Sequence, residues 1–171
     1  MISNVDYTTI DTILSTLETQ FSSAVTLSDP TLSILYSKLA VLELSGWIEE
    51  SIDLILFNYL DNKLISADCI NKTKKIIENN YGFKYESNLY HIFLCALGSN
   101  NWENIIDTIG DAHMNLLSTK CGEYTSQRND AAHKYQLVTR SFYAPSRVIS
   151  DYHQLKLVIT ELESEVLRLI E

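Results

Sequence analysis

Residues 148–169 read VISDYHQLKLVITELESEVLRL, and this stretch carries the most regular apolar pattern in the chain. Its apolar side chains are separated by alternating steps of four and three residues, which places them on one face of an α-helix. They are Val148, Tyr152, Leu155, Ile159, Leu162, Val166 and Leu169. Such a narrow stripe is suited to packing along a second helix. The pattern therefore predicts a long C-terminal helix that packs against other helices.

Helical spacing also recurs through the earlier parts of the chain. We expect a first helix over about 6–25 and a second over about 30–60, which Asp29 would cap ahead of a proline. Shorter helices are predicted over 66–79 and 88–97. A fifth, with an Asn-x-x-Glu start at residue 100, is expected to run until Gly122 closes it.

Composition agrees with a helical protein. The 171 residues include only five glycines and two prolines, which favours long elements over many short strands. The hydrophobic fraction of 46% is enough for a sizeable core, and the length is typical of one domain. We predict an all-α fold, an up-and-down bundle of five to seven helices forming a single domain over residues 1–171.

Charge and cysteine content narrow the classes of function. A formal charge of −9 argues against broad electrostatic binding of nucleic acid, but it allows an enzyme that grips one or two phosphates. Three cysteines without a C-x-x-C pair indicate neither a disulfide framework nor a zinc site, and we expect no metal or cofactor. Neither a secretory signal nor a membrane span is visible, so a cytoplasmic protein is expected.

Residues 128–135 read RNDAAHKY and concentrate the side chains best suited to chemistry. Asn129 and His133 are four residues apart and share a helix face, so the amide can orient the imidazole. Arg128 and His133 are about 140° apart around a regular helix. They converge on one ligand only if the arginine reaches around or lies in a first turn. A helix beginning near 125–126 would create the second arrangement, with free N–H groups that favour a phosphate.

An arginine and a histidine that titrates near neutral pH suit the transesterification of RNA. One group removes the 2′-hydroxyl proton or protonates the leaving oxygen, while the cation stabilises the phosphorane. The alternative interpretation of Arg128 and His133 is a solvated helix face without a chemical role.

Arg128-Asn129, followed after three residues by His133, resembles the R-x4-6-H motif of HEPN domains, including the polar residue favoured after the arginine. The resemblance implies a helical bundle that dimerises with its two motifs facing one cleft. It also implies metal-independent RNA cleavage that leaves 2′,3′-cyclic phosphate and 5′-hydroxyl ends, in toxin–antitoxin or antiviral defence systems. Arg128 and His133 would then be catalytic and Asn129 supporting.

Lys134-Tyr135 extends the pattern to R-x4-H-x-Y, which is similar to HEPN toxins paired with minimal nucleotidyltransferase antitoxins. In that subgroup the tyrosine is adenylylated, so the resemblance implies a regulatory modification at Tyr135 and an antitoxin or nucleotidyltransferase partner. A packed or merely exposed tyrosine is the alternative.

Further polar residues are candidates for supporting roles. Asp130 and Lys134 lie inside the motif, and Glu49 or Glu50 on the second helix would provide an acid that orients His133. Glu49 with Asp53, one turn later, resembles a metal-binding pair. Because no histidine or further carboxylate joins them at matching spacing, a solvated helix face is the favoured interpretation.

The sequence thus predicts an endoribonuclease toxin or defence effector that acts as a homodimer at a composite Arg/His site. One motif supplies a single arginine and a single histidine, and the small Ala131-Ala132 surface would allow a second helix to approach closely. The alternative is a catalytically silent HEPN interaction module that binds a protein partner through its helical faces.

Overall fold

The computed structural model describes residues 5–133 and 142–170. These residues form seven α-helices and one π-helical turn, with no strand among them. The elements are α1 (Tyr7–Thr26), α2 (Pro30–Lys63), α3 (Ala67–Glu78), the π-helical turn (Tyr85–Leu89), α4 (Tyr90–Leu97), α5 (Ser99–Ile109), α6 (Asp111–His133) and α7 (Pro145–Arg168). The predicted all-α bundle of five to seven helices is confirmed. No described helix combines the length and the apolar character needed to cross a bilayer.

Helix α2 is the centre of the bundle. Its 34 residues extend about 50 Å at 1.5 Å per residue. It begins as predicted, since the Asp29 carboxylate accepts a hydrogen bond from the Leu32 N–H at 3.0 Å and Pro30 occupies the first position. It contacts α1, α3, α4, α6 and α7. Because neighbours surround it, its buried residues lie on several faces, among them Ala40, Val41, Leu44, Ile48, Ile52, Leu56 and Leu60.

Helix α7 packs against α1, α2, α5 and α6 with the apolar stripe seen in the sequence. The predicted stripe is buried from Val148 to Val166, and Leu169 at its end is half-buried. Packing of this stripe therefore joins the C-terminal part of the chain to the central helix.

The helix boundary between α5 and α6 differs from the expectation. We expected Gly122 to close a helix begun at residue 100, but the chain breaks at Gly110, whose φ of +84° is accessible to glycine without steric cost. No side chain caps α5, so the predicted capping box at its start is also wrong. α6 runs unbroken through Gly122 because Leu117, Cys121 and Tyr124 bury one continuous helix face on either side of it.

A network of charged groups ties α6 to the beginning of α7. The buried carboxylate of Asp151 accepts a hydrogen bond from the Tyr124 hydroxyl at 3.0 Å and pairs with Lys120 Nζ at 2.9 Å. Arg147 Nε lies 3.6 Å from the same carboxylate, and Glu123 bridges both cations at 3.2 and 3.3 Å. Burial, together with the charge of Asp151, raises the pKa of Tyr124, so the hydroxyl stays a proton donor. The carboxylate is buried at little cost because three donors surround it.

The two glycines give a direct test of where the helix boundary lies. Gly122→Ala should raise the free energy of unfolding by about 0.5–1 kcal/mol, because alanine favours a helix interior and its Cβ would meet no atom within 4 Å. Gly110→Ala should lower it by about 1–2 kcal/mol, because its left-handed backbone disfavours a side chain. Urea unfolding of both variants measures the two changes. If Gly122→Ala were less stable than wild type, the helix boundary would lie at Gly122, as the sequence predicted.

Candidate functional site

The motif residues lie near the end of the described part of α6, not at a helix beginning. Arg128 follows many turns of unbroken helix after Asp111, so the backbone N–H groups around it are already bonded within the helix. The expectation that Arg128 lies in a first turn, within an anion site of free N–H groups, is wrong. With regular helix geometry, Arg128 and His133 point about 140° apart.

The side chains of the motif differ in exposure. Arg128 keeps 38% of its side chain exposed, and its Nη1 lies 3.5 Å from the Asn129 Oδ1, a long contact. Asn129 and His133 are exposed on the same helix face, one turn apart, and Asp130 is half-buried. Lys134 and Tyr135 lie outside the described residues. The described motif thus offers one partly accessible guanidinium and one accessible imidazole.

The two alanines of the motif do not form one exposed surface. Ala131 is only 1% exposed and belongs to the interior of the chain, whereas Ala132 is exposed. The predicted small Ala131-Ala132 surface for a second helix is therefore wrong, because Ala131 is buried within its own chain.

Glu49 of α2 lies beside Arg128. Its Oε2 is 4.0 Å from the Arg128 Nη2, and its Oε1 accepts a hydrogen bond from the Gly82 N–H at 3.0 Å. Glu50, the next residue and so about 100° further around α2, is exposed and lines a groove between α2 and α1. Of the two glutamates predicted as supporting residues, Glu49 lies beside the motif, whereas Glu50 lies on the groove.

The turn that follows α3 holds the Glu49 carboxylate in place. Gly82 has a φ of +124°, and its carbonyl accepts a hydrogen bond from the Asn80 side chain at 3.2 Å. The Asn80 Oδ1 in turn accepts one from the Asn88 Nδ2 at 3.1 Å. These hydrogen bonds of Asn80 and Asn88 orient the Gly82 N–H, so Glu49 has a fixed backbone partner. Arg128 therefore has a fixed counter-charge beside it. The sequence did not reveal this contact, because Gly82 and Glu49 are far apart in the chain.

Asp53 lies one turn after Glu49 and has a raised pKa. Burial, together with the negative charges of Glu49, Glu78 and Glu50, raises the pKa of Asp53 to about 7. Glu49 and Asp53 are both half-buried, so the face that they share is only partly solvated. The described residues contain no group of three or more His, Cys, Asp or Glu side chains placed to share a metal ion.

None of the protein-family models, curated proteins and solved structures compared with this chain matches it. The resemblance to HEPN domains therefore rests on the residues of the motif itself and on the helical fold around it.

The raised pKa of Asp53 predicts how stability depends on pH. The folded value of about 7 lies above the unfolded value of about 3.9. The folded chain therefore binds this proton more tightly, and stability falls as pH rises from about 4 to about 7. Asp53→Asn should remove that fall, gaining about 1 kcal/mol above pH 7 after allowance for solvent screening.

The measurement is urea unfolding from pH 5 to pH 8 for wild type and Asp53→Asn. Asp107→Asn, at an exposed position of α5, is the matched control and should follow wild type. If the wild type and Asp53→Asn curves run parallel across this range, Asp53 does not titrate as described.

Proposed function

We propose that this chain is a metal-independent endoribonuclease of the HEPN type, acting in the cytoplasm as a toxin or defence effector. The observation that carries the proposal is the placement of Arg128, Asn129 and His133 at accessible positions over consecutive turns of α6, with Glu49 fixed beside the arginine. RNA transesterification requires at least one cation and one acid–base group that can reach the same phosphate.

In the proposed reaction the 2′-oxygen of the substrate attacks the adjacent phosphorus. The new P–O bond forms as the bond to the 5′-oxygen breaks, which leaves a 2′,3′-cyclic phosphate and a 5′-hydroxyl. His133 takes the proton from the 2′-hydroxyl or delivers one to the departing 5′-oxygen. Arg128 stabilises the extra negative charge of the phosphorane. Asn129, on the same face as His133, orients the imidazole.

Glu49 sets the resting position of Arg128 without blocking it. The single contact of 4.0 Å is long, and both side chains are partly exposed. Ion pairs of this kind contribute about 0–1 kcal/mol, so a substrate phosphate can replace the carboxylate. The forked guanidinium is then free to bind two phosphate oxygens.

The direction of the two side chains favours a site shared between two copies of the chain. Arg128 and His133 diverge on one straight helix, so a single α6 does not bring both to one phosphate. A symmetric dimer with two α6 ends facing one cleft would bring the arginine of one copy to the histidine of the other.

A second candidate function is a catalytically silent module that binds a protein partner. The chain carries a net charge of −9, and an apolar groove with an acidic rim lies between α1 and α2. Both features suit a basic protein segment better than RNA. Absence of RNA cleavage by the pure wild-type protein would favour this function.

The catalytic roles predict a clear pattern of activity loss. His133→Ala and Arg128→Ala should each reduce RNA cleavage by about 10²–10⁴-fold, with the circular dichroism spectrum unchanged. Asn129→Ala should reduce it less, because it only misorients the imidazole. His153→Ala, which removes an exposed histidine of α7, is the matched control and should keep full activity.

The products and conditions test the mechanism in the same gel assay. Cleavage should continue in EDTA, the ends should be 2′,3′-cyclic phosphate and 5′-hydroxyl, and RNA with a 2′-deoxy residue at the cut site should be inert. Cutting that requires a metal ion, or full activity of His133→Ala, would refute the mechanism.

Mixing two inactive variants tests whether the site is shared. Equal amounts of Arg128→Ala and His133→Ala chains, unfolded and refolded together, should form mixed dimers in which one of the two shared sites is intact. Activity should then recover to about a quarter of wild type, since half of the dimers are mixed and each has one intact site. Each variant refolded alone is the control. Failure of the mixture to recover would show that both residues act within one chain.

A further inference from the structure

A groove runs along the surface between α1 and α2. Its volume is about 440 Å³. Its floor is apolar and is formed by Ile10, Ile13, Leu42, Trp47 and Leu54. Trp47 is 8% exposed, and its indole N–H donates a hydrogen bond to the Asp6 carbonyl at 3.1 Å, which fixes the ring. The half-buried Ile13, Leu42 and Leu54 present the apolar surface of the groove, whereas Ile10 and Trp47 belong to the buried core. Such a surface is suited to binding other apolar side chains.

The rim of this groove is acidic. Asp6, Glu43 and Glu50 line it, and no lysine or arginine of the described residues does so. The hydroxyl and the amide of Thr9 donate hydrogen bonds to Asp6 and lower its pKa, so this carboxylate stays charged. An apolar floor with carboxylates along its edge complements a ligand that is apolar in the middle and positively charged at its sides.

The length of the groove matches a helix of about three turns. Its lining residues on α2 extend from Leu42 to Leu54, which is about 18 Å at 1.5 Å per residue. Gly46 lies between them, and a Cβ at this position would meet no atom within 4 Å. The missing side chain leaves room for the backbone of a bound helix to approach closely.

We propose that the groove between α1 and α2 binds an amphipathic helix of a partner protein, with its apolar face on the floor and lysine or arginine side chains against the rim. A helix laid in a groove is a common way to recognise a segment of about this length. RNA does not fit, because the rim repels phosphates. The inference is independent of the ribonuclease proposal.

The test is a titration of the full chain with a synthetic helical peptide of about three turns, with leucines on one face and lysines on both flanks. The indole N–H resonance of Trp47, one of only two tryptophans, reports occupation of the groove in ¹⁵N NMR spectra. Saturable binding with a shift of the Trp47 resonance is expected. A peptide with glutamate at every lysine position should not bind.

Two glycine variants separate the groove from the general acidity of the chain. Gly46→Gln fills the groove without a change of charge and should weaken binding of the lysine peptide at least about tenfold. Gly122→Gln is the matched control, because Gly122 also lies inside a helix with open space at its Cβ, and it should bind like wild type. If Gly46→Gln does not fold, the double variant Glu43→Gln/Glu50→Gln serves instead and should weaken binding and reduce its salt dependence.

Three outcomes would overturn the proposal. Equal binding of the lysine peptide by wild type and Gly46→Gln would mean that the net charge of the protein, and not the groove, determines the affinity. Self-association that Gly46→Gln abolishes, seen by sedimentation, would assign the groove to a second copy. A Trp47 shift with phosphatidylcholine vesicles but not with the peptide would assign it to a lipid surface.

Discussion

Burial of α2 on most of its circumference is the constraint on which the rest of the bundle depends. Five of the described helices pack against it, so its side chains form one half of each of these interfaces. One side places Glu49 and Asp53 toward α3 and α6, and another side places Trp47 and Glu50 toward the groove with α1. Because a packed helix is rigid, the candidate catalytic surface and the groove are held at a fixed separation by one element.

Polar groups at the edge of this core join α6 to α7 and join α2 to the turn after α3. Buried polar groups need partners, and the structure provides them across long sequence distances. Asp151 gathers Tyr124, Lys120 and Arg147 where α6 meets α7, and Glu49 receives the Gly82 amide where the chain leaves α3. These contacts add specificity to a fold whose stability comes from apolar burial, since each lost partner would leave a costly unpaired group.

The candidate catalytic residues of the chain occupy a small area of an acidic protein. A net charge of −9 means that attraction of RNA must be local. Under the ribonuclease proposal Arg128 would provide the local cation, with the Glu49 carboxylate 4.0 Å away as its counter-charge. The same acidity would weaken binding of RNA and would strengthen attraction of a basic protein helix.

The sequence by itself determined the helical class and the helices α1, α2 and α7, because periodic apolar spacing and the Asp29-Pro30 cap are local signals. It also identified Arg128, Asn129 and His133 as candidates. Only the tertiary structure decided that Gly110 and not Gly122 ends a helix. Either glycine can end a helix. Gly122 does not, because Cys121 and Tyr124 on either side of it are buried on one continuous helix face. The pairing of Glu49 with Arg128 and the burial of Ala131 were likewise hidden, because side chains far apart in sequence meet only when packing around α2 fixes their positions.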